Sequence, residues 1–435
     1  MDAPQGLKIG PWELVPGVRR AHFNSLLLAS FFTIGTMTLV GNLQPYLFNA
    51  VLHVPREVQG SLGGNLASFN EIIFLIVASF LGAASDKVGR RPIYALGFAI
   101  MAVAFALYPT ATAPSQLYLF RAVFAVGAAC VSAMLAAVIA DYAMERTRGR
   151  LVGICFFLNG MGVAILVVFG GRLPRMVEAM GVAPVQAARC AYWTIAALCF
   201  IPMFIVAFGL QPGSPARIEA KGPLLSTLRI GFSAARDPRV LLAYLSAMVS
   251  RGDLAVLSTF FLLWLTTYGI GNGLSAAEAQ AAGTKFFGLA QVVATFWALI
   301  VIFFIDKMDR VLALAIAMVL ASVSYITIGL VRDPVGPAMY AASAMMGIGE
   351  MSGVLASQSL VGQVSAERAR GAIIGVFSMF GAAGILLATW LGGKVFDAWR
   401  PSAPYLLVGC ADAVLAVIAL LVYIGVRRRA AGQPG

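Results

Sequence analysis

The sequence predicts an all-α membrane protein, with twelve transmembrane helices in two pseudo-symmetric bundles of six. Three observations lead there. The 435 residues are 60% hydrophobic and 11% charged, against about 25% charged in soluble chains, and the mean hydropathy is +0.87. Apolar stretches of roughly 20 residues, the length that crosses a bilayer core of about 30 Å, recur from end to end. The chain also repeats itself at an offset close to half its length.

Residues 1–22 are polar, carry Pro and Glu and have no small-residue cleavage site after a short apolar core, so the first span reads as a retained helix and not a signal peptide, with 1–22 as a cytoplasmic N-terminal segment. Six spans follow, at approximately 23–48, 61–84, 92–110, 115–140, 150–171 and 190–210, and form a first bundle, 23–210. Pro212, Pro215, Pro223 and Pro238, with several basic residues between, mark 211–239 as a linker. Within it "LLSTLRIGFSAARDPR" is either a short amphipathic helix at the membrane surface, ended before Pro238, or an unstructured connection. The second bundle, 240–426, has spans at approximately 240–265, 283–305, 309–331, 336–361, 370–393 and 404–426, and 427–435 is a tail.

Most of the 31 Lys and Arg residues fall in segments on the N-terminal side of the membrane. The positive-inside rule therefore puts both termini in the cytoplasm. The net charge of +12 is spread over many short loops, which makes it an orientation signal and excludes a nucleic-acid footprint. Cys130, Cys155, Cys190, Cys199 and Cys410 lie in or beside apolar segments without metal-ligand spacing and read as free thiols. His22 and His53 flank the first span, which leaves nothing on which to build hydrolase or zinc chemistry. No enzyme activity, cofactor or metal is expected.

The repeat is explicit. "DKVGRR" at 86–91 returns as "DKMDRV" at 306–311, and "ERTRGRLVGICF" at 145–156 returns as "ERARGAIIGVFS" at 367–378. Six spans is an even number, so both halves enter the membrane from the same side, an arrangement used by transporters with a site between the repeats.

At "GAASDKVGRRP", Gly82 to Pro92, the chain resembles the major facilitator superfamily, whose signature there is Gly-x-Leu-Ala/Ser-Asp-Arg/Lys-x-Gly-Arg/Lys-Arg/Lys; Ala84 stands in place of the Leu. Physically, Gly89 permits a tight turn, Arg90 and Arg91 hold the loop at the cytoplasmic face, and Asp86 can accept hydrogen bonds from a helix N-terminus or from Arg148. The resemblance implies a conformational latch made of Gly82, Asp86, Gly89, Arg90, Arg91 and Arg148, with Asp86 facing the eleventh span. The family's fourth-span signature is weakened in "LFRAVFAVGAAC", which keeps Arg121 and Gly127. "FFLNGMGVAI" lacks the Gly-Pro pair of its drug antiporters.

Four acids and two arginines interrupt the apolar spans. In "SAMVSRGDLAV", Arg251 and Asp253 lie about 18 and 21 Å into the seventh span and, two residues apart on a helix, point to opposite sides. Glu350 in the tenth span and Glu71 in the second lie at similar depth, and Asp412 in the twelfth nearer the outer face. A charge at the bilayer centre costs ~2.5–3.5 kcal/mol and usually faces a cavity or a partner. The resemblance implies that the first, fourth, seventh and tenth spans line a central cavity, three of which carry Arg121, Arg251, Asp253 and Glu350.

The expected site is therefore Arg251 as a bidentate anchor for an anion, with Glu350 gaining and losing a proton; a structural Arg251–Glu350 salt bridge is the plain alternative. Asp253 is open between a site role and a pairing with the neighbouring bundle. Arg121 is open between helix stabilisation and proton coupling, and Glu71 is weighted towards gating or structure. Thr36, Thr38, Asn159, Gln291, Trp297 and Gln358 would complete the pocket. These features describe a monomeric, multi-pass secondary active transporter of the inner membrane, working by alternating access in contact with lipid. Its expected partners are protons and a small organic anion or metabolite. The rival readings are proton-driven efflux of amphipathic cations and a membrane sensor that binds without transporting.

Overall fold

The computed structural model describes residues 7–213, 224–305, 307–365 and 369–431. Each expected span lies on its own helix: α1 (Arg20–Ala50), α2 (Arg56–Val88), α3 (Arg90–Leu107), α4 (Gln116–Tyr142), α5 (Arg148–Glu178) and α6 (Pro184–Gly209) in the first half. After a short α7 (Leu224–Ala234) come α8 (Pro238–Gly271), α9 (Ala276–Ile305), α10 (Arg310–Leu330), α11 (Ala338–Val364), α12 (Arg370–Ala398) and α13 (Ala403–Ala431). Among the described residues, eleven helices are long and apolar enough to cross a membrane. The remaining expected span, α11, is 27 residues long, and its Gly, Ser and Glu350 lower its hydropathy.

Local chemistry sets the boundaries. Gly89 alone separates α2 from α3, with φ +98°, a conformation that favours glycine. Pro184 and Pro238 open α6 and α8, where a missing N–H costs nothing. Asp309 caps α10 by accepting from the Val311 and Leu312 N–H groups at 2.9 and 3.2 Å.

The helices form two compact units, and α2, α8 and α9 each divide between them. One unit comprises residues 1–54, 69–219 and 266–288, the other 55–68, 220–265 and 289–435. In the first, α1 packs along α5 and α6, and α3 along α4 and α6. The α1–α5 crossing is tight enough that a Cβ on Gly162 would collide with the Phe31 carbonyl. In the second, α10 packs on α11 and α13, and a Cβ on Gly384 of α12 would collide with the Met248 carbonyl of α8. The start of α2 is held in this second unit, where Asp397 accepts from the Gly60 and Ser61 N–H groups at 2.8 and 2.6 Å.

The repeat is visible in contacts. Arg90, the first residue of α3, bridges Asp86 of α2 at 2.8 Å and Asp141 of α4 at 3.0 Å, and donates to Ser85. Its counterpart Arg310, the first residue of α10, donates to Ser359 of α11. Asp306, Glu367 and Arg368 of the repeat lie outside the described residues.

Two local findings go beyond the sequence reading. The N-terminal segment forms a small hairpin, β1 (Lys8–Ile9) with β2 (Trp12–Glu13), that docks on the α4–α5 loop. There Glu13 pairs with Arg146, and Arg150 donates to the Pro11 carbonyl at 3.1 Å. No apolar periodicity announces a two-residue strand. In the linker, the helical alternative is the one adopted over 224–234, where Tyr244 donates to the Gly231 carbonyl at 2.8 Å.

Candidate functional site

Three of the acids meet in one unit. Asp253 of α8, Glu350 of α11 and Asp412 of α13 are 2%, 3% and 0% exposed. Asp253 lies beside Asp412, with Glu350 within electrostatic reach of it. Sequence depth alone set Asp412 apart from the others. The structure brings it level because α8 spans 34 residues, about 51 Å, and extends well past the bilayer core, while Asp412 lies only nine residues into α13.

Few donors serve these carboxyls. Gln291 of α9 donates to Glu350 Oε2 at a long 3.5 Å. Among the described residues no N–H or O–H donor of another side chain reaches either oxygen of Asp412 or Oδ1 of Asp253, and the two carboxyls can bond to each other only through a shared proton. The fully buried Tyr325 and Tyr405 stack with ring centroids 6.5 Å apart, and neither hydroxyl has a hydrogen-bond partner among the described residues. Tyr325 lies within electrostatic reach of all three acids. Asp253 also forms part of the wall of a cavity of about 200 Å³ between α8, α12 and α13, otherwise apolar, lined by Met248, Leu387, Leu391 and Leu407 among others.

The other expected residues distribute differently. Arg251 is exposed, its stem lying against Gly381 of α12, and no ion pair forms with Glu350; the structural salt bridge is absent among the described residues. Two residues of separation from Asp253 turn Arg251 to the opposite side of α8, as helical geometry requires. Asp253 meets Asp412 inside its own unit. Trp297 donates to Ser352 at 2.8 Å, and Gln358 is exposed.

Arg121, Asn159, Thr36 and Glu71 belong to the first unit. Arg121 is 5% exposed and donates to Tyr108 at 3.5 Å, with its guanidinium 5.9 Å from the Phe124 ring. Only five residues into α4, it lies near that helix's end and not at mid-depth. Thr36 is fully buried and returns its hydroxyl to the Phe32 carbonyl at 2.8 Å, as Thr38 does to Ile34, so neither offers a free donor to a ligand. Asn159 is half-buried, with its Oδ1 unsatisfied, and Glu71 is half-buried. In the hairpin, Asp86 is taken by Arg90, while Arg148 pairs with Glu145 at 2.9 Å. The nearer arginine, one helical turn away, wins the carboxylate.

The model of the Major Facilitator Superfamily matches residues 26–337 and again 303–435. The chain belongs to this superfamily. The magnetosome protein MamH of Paramagnetospirillum magneticum is 25% identical over 411 residues, 93% of each chain. The human synaptic vesicular amine transporter is 26% identical over 285 residues, 63% of this chain and 49% of that protein. The crystal structure of the nucleoside transporter NupG superposes with a TM-score of 0.69 at 17% identity, covering 93% of this chain and 99% of that one. The protein is thus a multi-pass membrane transporter of the major facilitator fold.

Proposed function

We propose that the protein is a proton-coupled secondary transporter, working by alternating access, in which the Asp253–Glu350–Asp412 cluster carries the proton and the substrate is an organic cation. The supporting observation is the cluster itself. Three carboxyls share one buried region, and no Lys or Arg among the described residues is paired with any of them. Carboxylates crowded together cannot all stay ionised without a counter-charge, and burial raises the cost of leaving them uncompensated. A mobile proton or a cationic substrate supplies what no fixed side chain does, and each can leave again. The name of the amine transporter relative is in keeping with that sign of charge.

The organic-anion reading survives on one observation: Arg251 is exposed and has no ion pair among the described residues, as an anion anchor would be. An inner-membrane location with both termini cytoplasmic, and a conformational latch in the Gly82–Arg91 hairpin with Arg148, belong to the same proposal. They rest on the charge distribution and on the Arg90 bridges.

Reconstituted protein under an imposed pH gradient tests it. Uptake of organic cations that disappears in Asp412→Asn and persists in Arg251→Gln supports the cation reading. Uptake confined to organic anions and lost in Arg251→Gln would overturn it in favour of the anion carrier.

A further inference from the structure

Moving a proton does not explain the cavity beside Asp253. A proton needs carboxyls and water, whereas this cavity offers about 200 Å³ of space walled by hydrocarbon. Apart from Asp253, every residue in the wall is Gly, Ala, Val, Leu or Met. Asp253 is 2% exposed, and no donor among the described residues reaches its Oδ1.

The sequence makes this space with side chains spaced one helical turn apart. Gly384 and Ala388 of α12 present a strip of small residues, and Leu387 and Leu391 of the same helix flank it. Gly252 of α8 lies so close to the strip that an added Cβ would sit 3.1 Å from the Ala388 Cβ. On α13, Ala411 lines the cavity immediately before Asp412, but Asp412 and Glu350 do not line it. The cavity therefore meets the acid cluster through Asp253. Leu387 and Leu391 are 49% and 36% exposed, and Ala411 is exposed too, so an occupant has a way in.

Volume and lining together define what fits. An engineered aliphatic cavity of about 150 Å³ in another protein stays dry and binds benzene. The cavity beside Asp253 is about a third larger, room for one six-membered ring and a short linker but not for two rings. Water is a poor occupant, since it needs two or more polar partners and the wall supplies one polar side chain. A lipid chain would fill the space yet leave a buried carboxyl oxygen without a donor, which costs free energy. An ammonium ion carrying a ring meets both demands. Its N–H groups make charge-assisted hydrogen bonds to the carboxylate, and its ring leaves water for an apolar wall.

We propose that this cavity is the size-selecting subsite for the organic cation: a primary ammonium bearing one compact apolar group, about a single ring, binds with its nitrogen on Asp253 and its ring between α8, α12 and α13. The inference rests on the cation reading of the acid cluster and names the class of cation. Ala388, Ala411 and Leu391 set the length and width of the group that enters, and Asp253 sets its charge.

The test is equilibrium binding to the purified full-length chain in lipid nanodiscs at neutral pH, corrected for uptake by empty nanodiscs. The probes are benzylamine, methylamine and benzyl alcohol. Benzylamine is expected to bind at least about tenfold more tightly than methylamine, the ratio expected for burying one apolar group, and at least about tenfold more tightly than the uncharged alcohol. Ala411→Leu, at an exposed wall position, should lower benzylamine affinity at least about tenfold and leave methylamine unchanged. Leu391→Ala widens the cavity and should admit naphthylmethylamine, which the wild type excludes; this variant decides the matter if Ala411→Leu fails to fold. No benzylamine binding, equal binding of benzylamine and methylamine, or unchanged selectivity in either folded variant overturns the inference. So does equal binding of benzylamine and benzyl alcohol, which would assign the cavity to lipid chains. pH-driven uptake of methylamine without preference for a ring would sink this inference and leave the cation reading standing. Ring-selective binding without pH-driven uptake would do the reverse.

Discussion

Two buried tyrosine stacks, one in each unit, carry opposite charges beside them. In the first unit Tyr108 and Tyr192 stack 5.7 Å apart at 3°, with Arg121 donating to Tyr108. In the second Tyr325 and Tyr405 stack 6.5 Å apart at 12°, within reach of Asp253, Glu350 and Asp412. The scaffolds around them correspond: Gly162 and Gly384 each admit a neighbouring carbonyl, and Arg90 and Arg310 each open a helix and tie it to the next. The lesson is that the repeat preserves packing while the charge placed in it diverges. Backbone contact tolerates no added methyl, whereas a buried side chain beside a tyrosine stack can change sign and give the half a different task.

The largest expected effect comes from removing the charge that distinguishes the halves. Asp412→Asn or Asp253→Asn should reduce pH-driven flux in proteoliposomes to background while the protein still folds, and Arg121→Gln should leave flux measurable. Equal loss from Arg121→Gln would break the asymmetry. Next, Gly162→Ala and Gly384→Ala should each destabilise by about 3 kcal/mol through overpacking, read as a lowered melting temperature. Gly375→Ala, with open space around it, should not. Tolerance at one crossing alone would show that the correspondence of the units stops short of their contacts.

Arg121→Met should cost about 1.5–3 kcal/mol, the scale of a hydrogen bond involving a charge, again seen in the melting temperature. Asp141→Asn should cost more than Ser359→Ala, because the first removes a full counter-charge from Arg90 while the second removes one neutral hydroxyl acceptor from Arg310. Smallest of all, Tyr325→Phe should change stability by less than about 0.5 kcal/mol, since its hydroxyl is unpartnered. A large loss there would mean that the hydroxyl serves the acids.

Much of the fold is legible in the sequence for a simple reason: in a bilayer each helix satisfies its own backbone, so length and hydropathy specify it locally. The turn at Gly89 and the repeat of Arg90 at Arg310 are likewise local signals. The candidate site is only half legible. Asp253, Glu350 and Asp412 stand out because a charge in hydrocarbon is costly. Their meeting does not, since it depends on how far α8 overhangs and how α8, α11 and α13 are staggered. Arg251 stands out for the same reason, yet it turns away from the acids.

By itself the sequence determined the class of the protein, the number and order of its spans, its repeat and the identity of its buried charges. These follow from transfer free energies and helical periodicity, which act within one segment. Only the tertiary structure decided which charges share a region and that Asp412 joins Asp253. Those outcomes depend on contacts between helices distant in the sequence, which no single segment encodes.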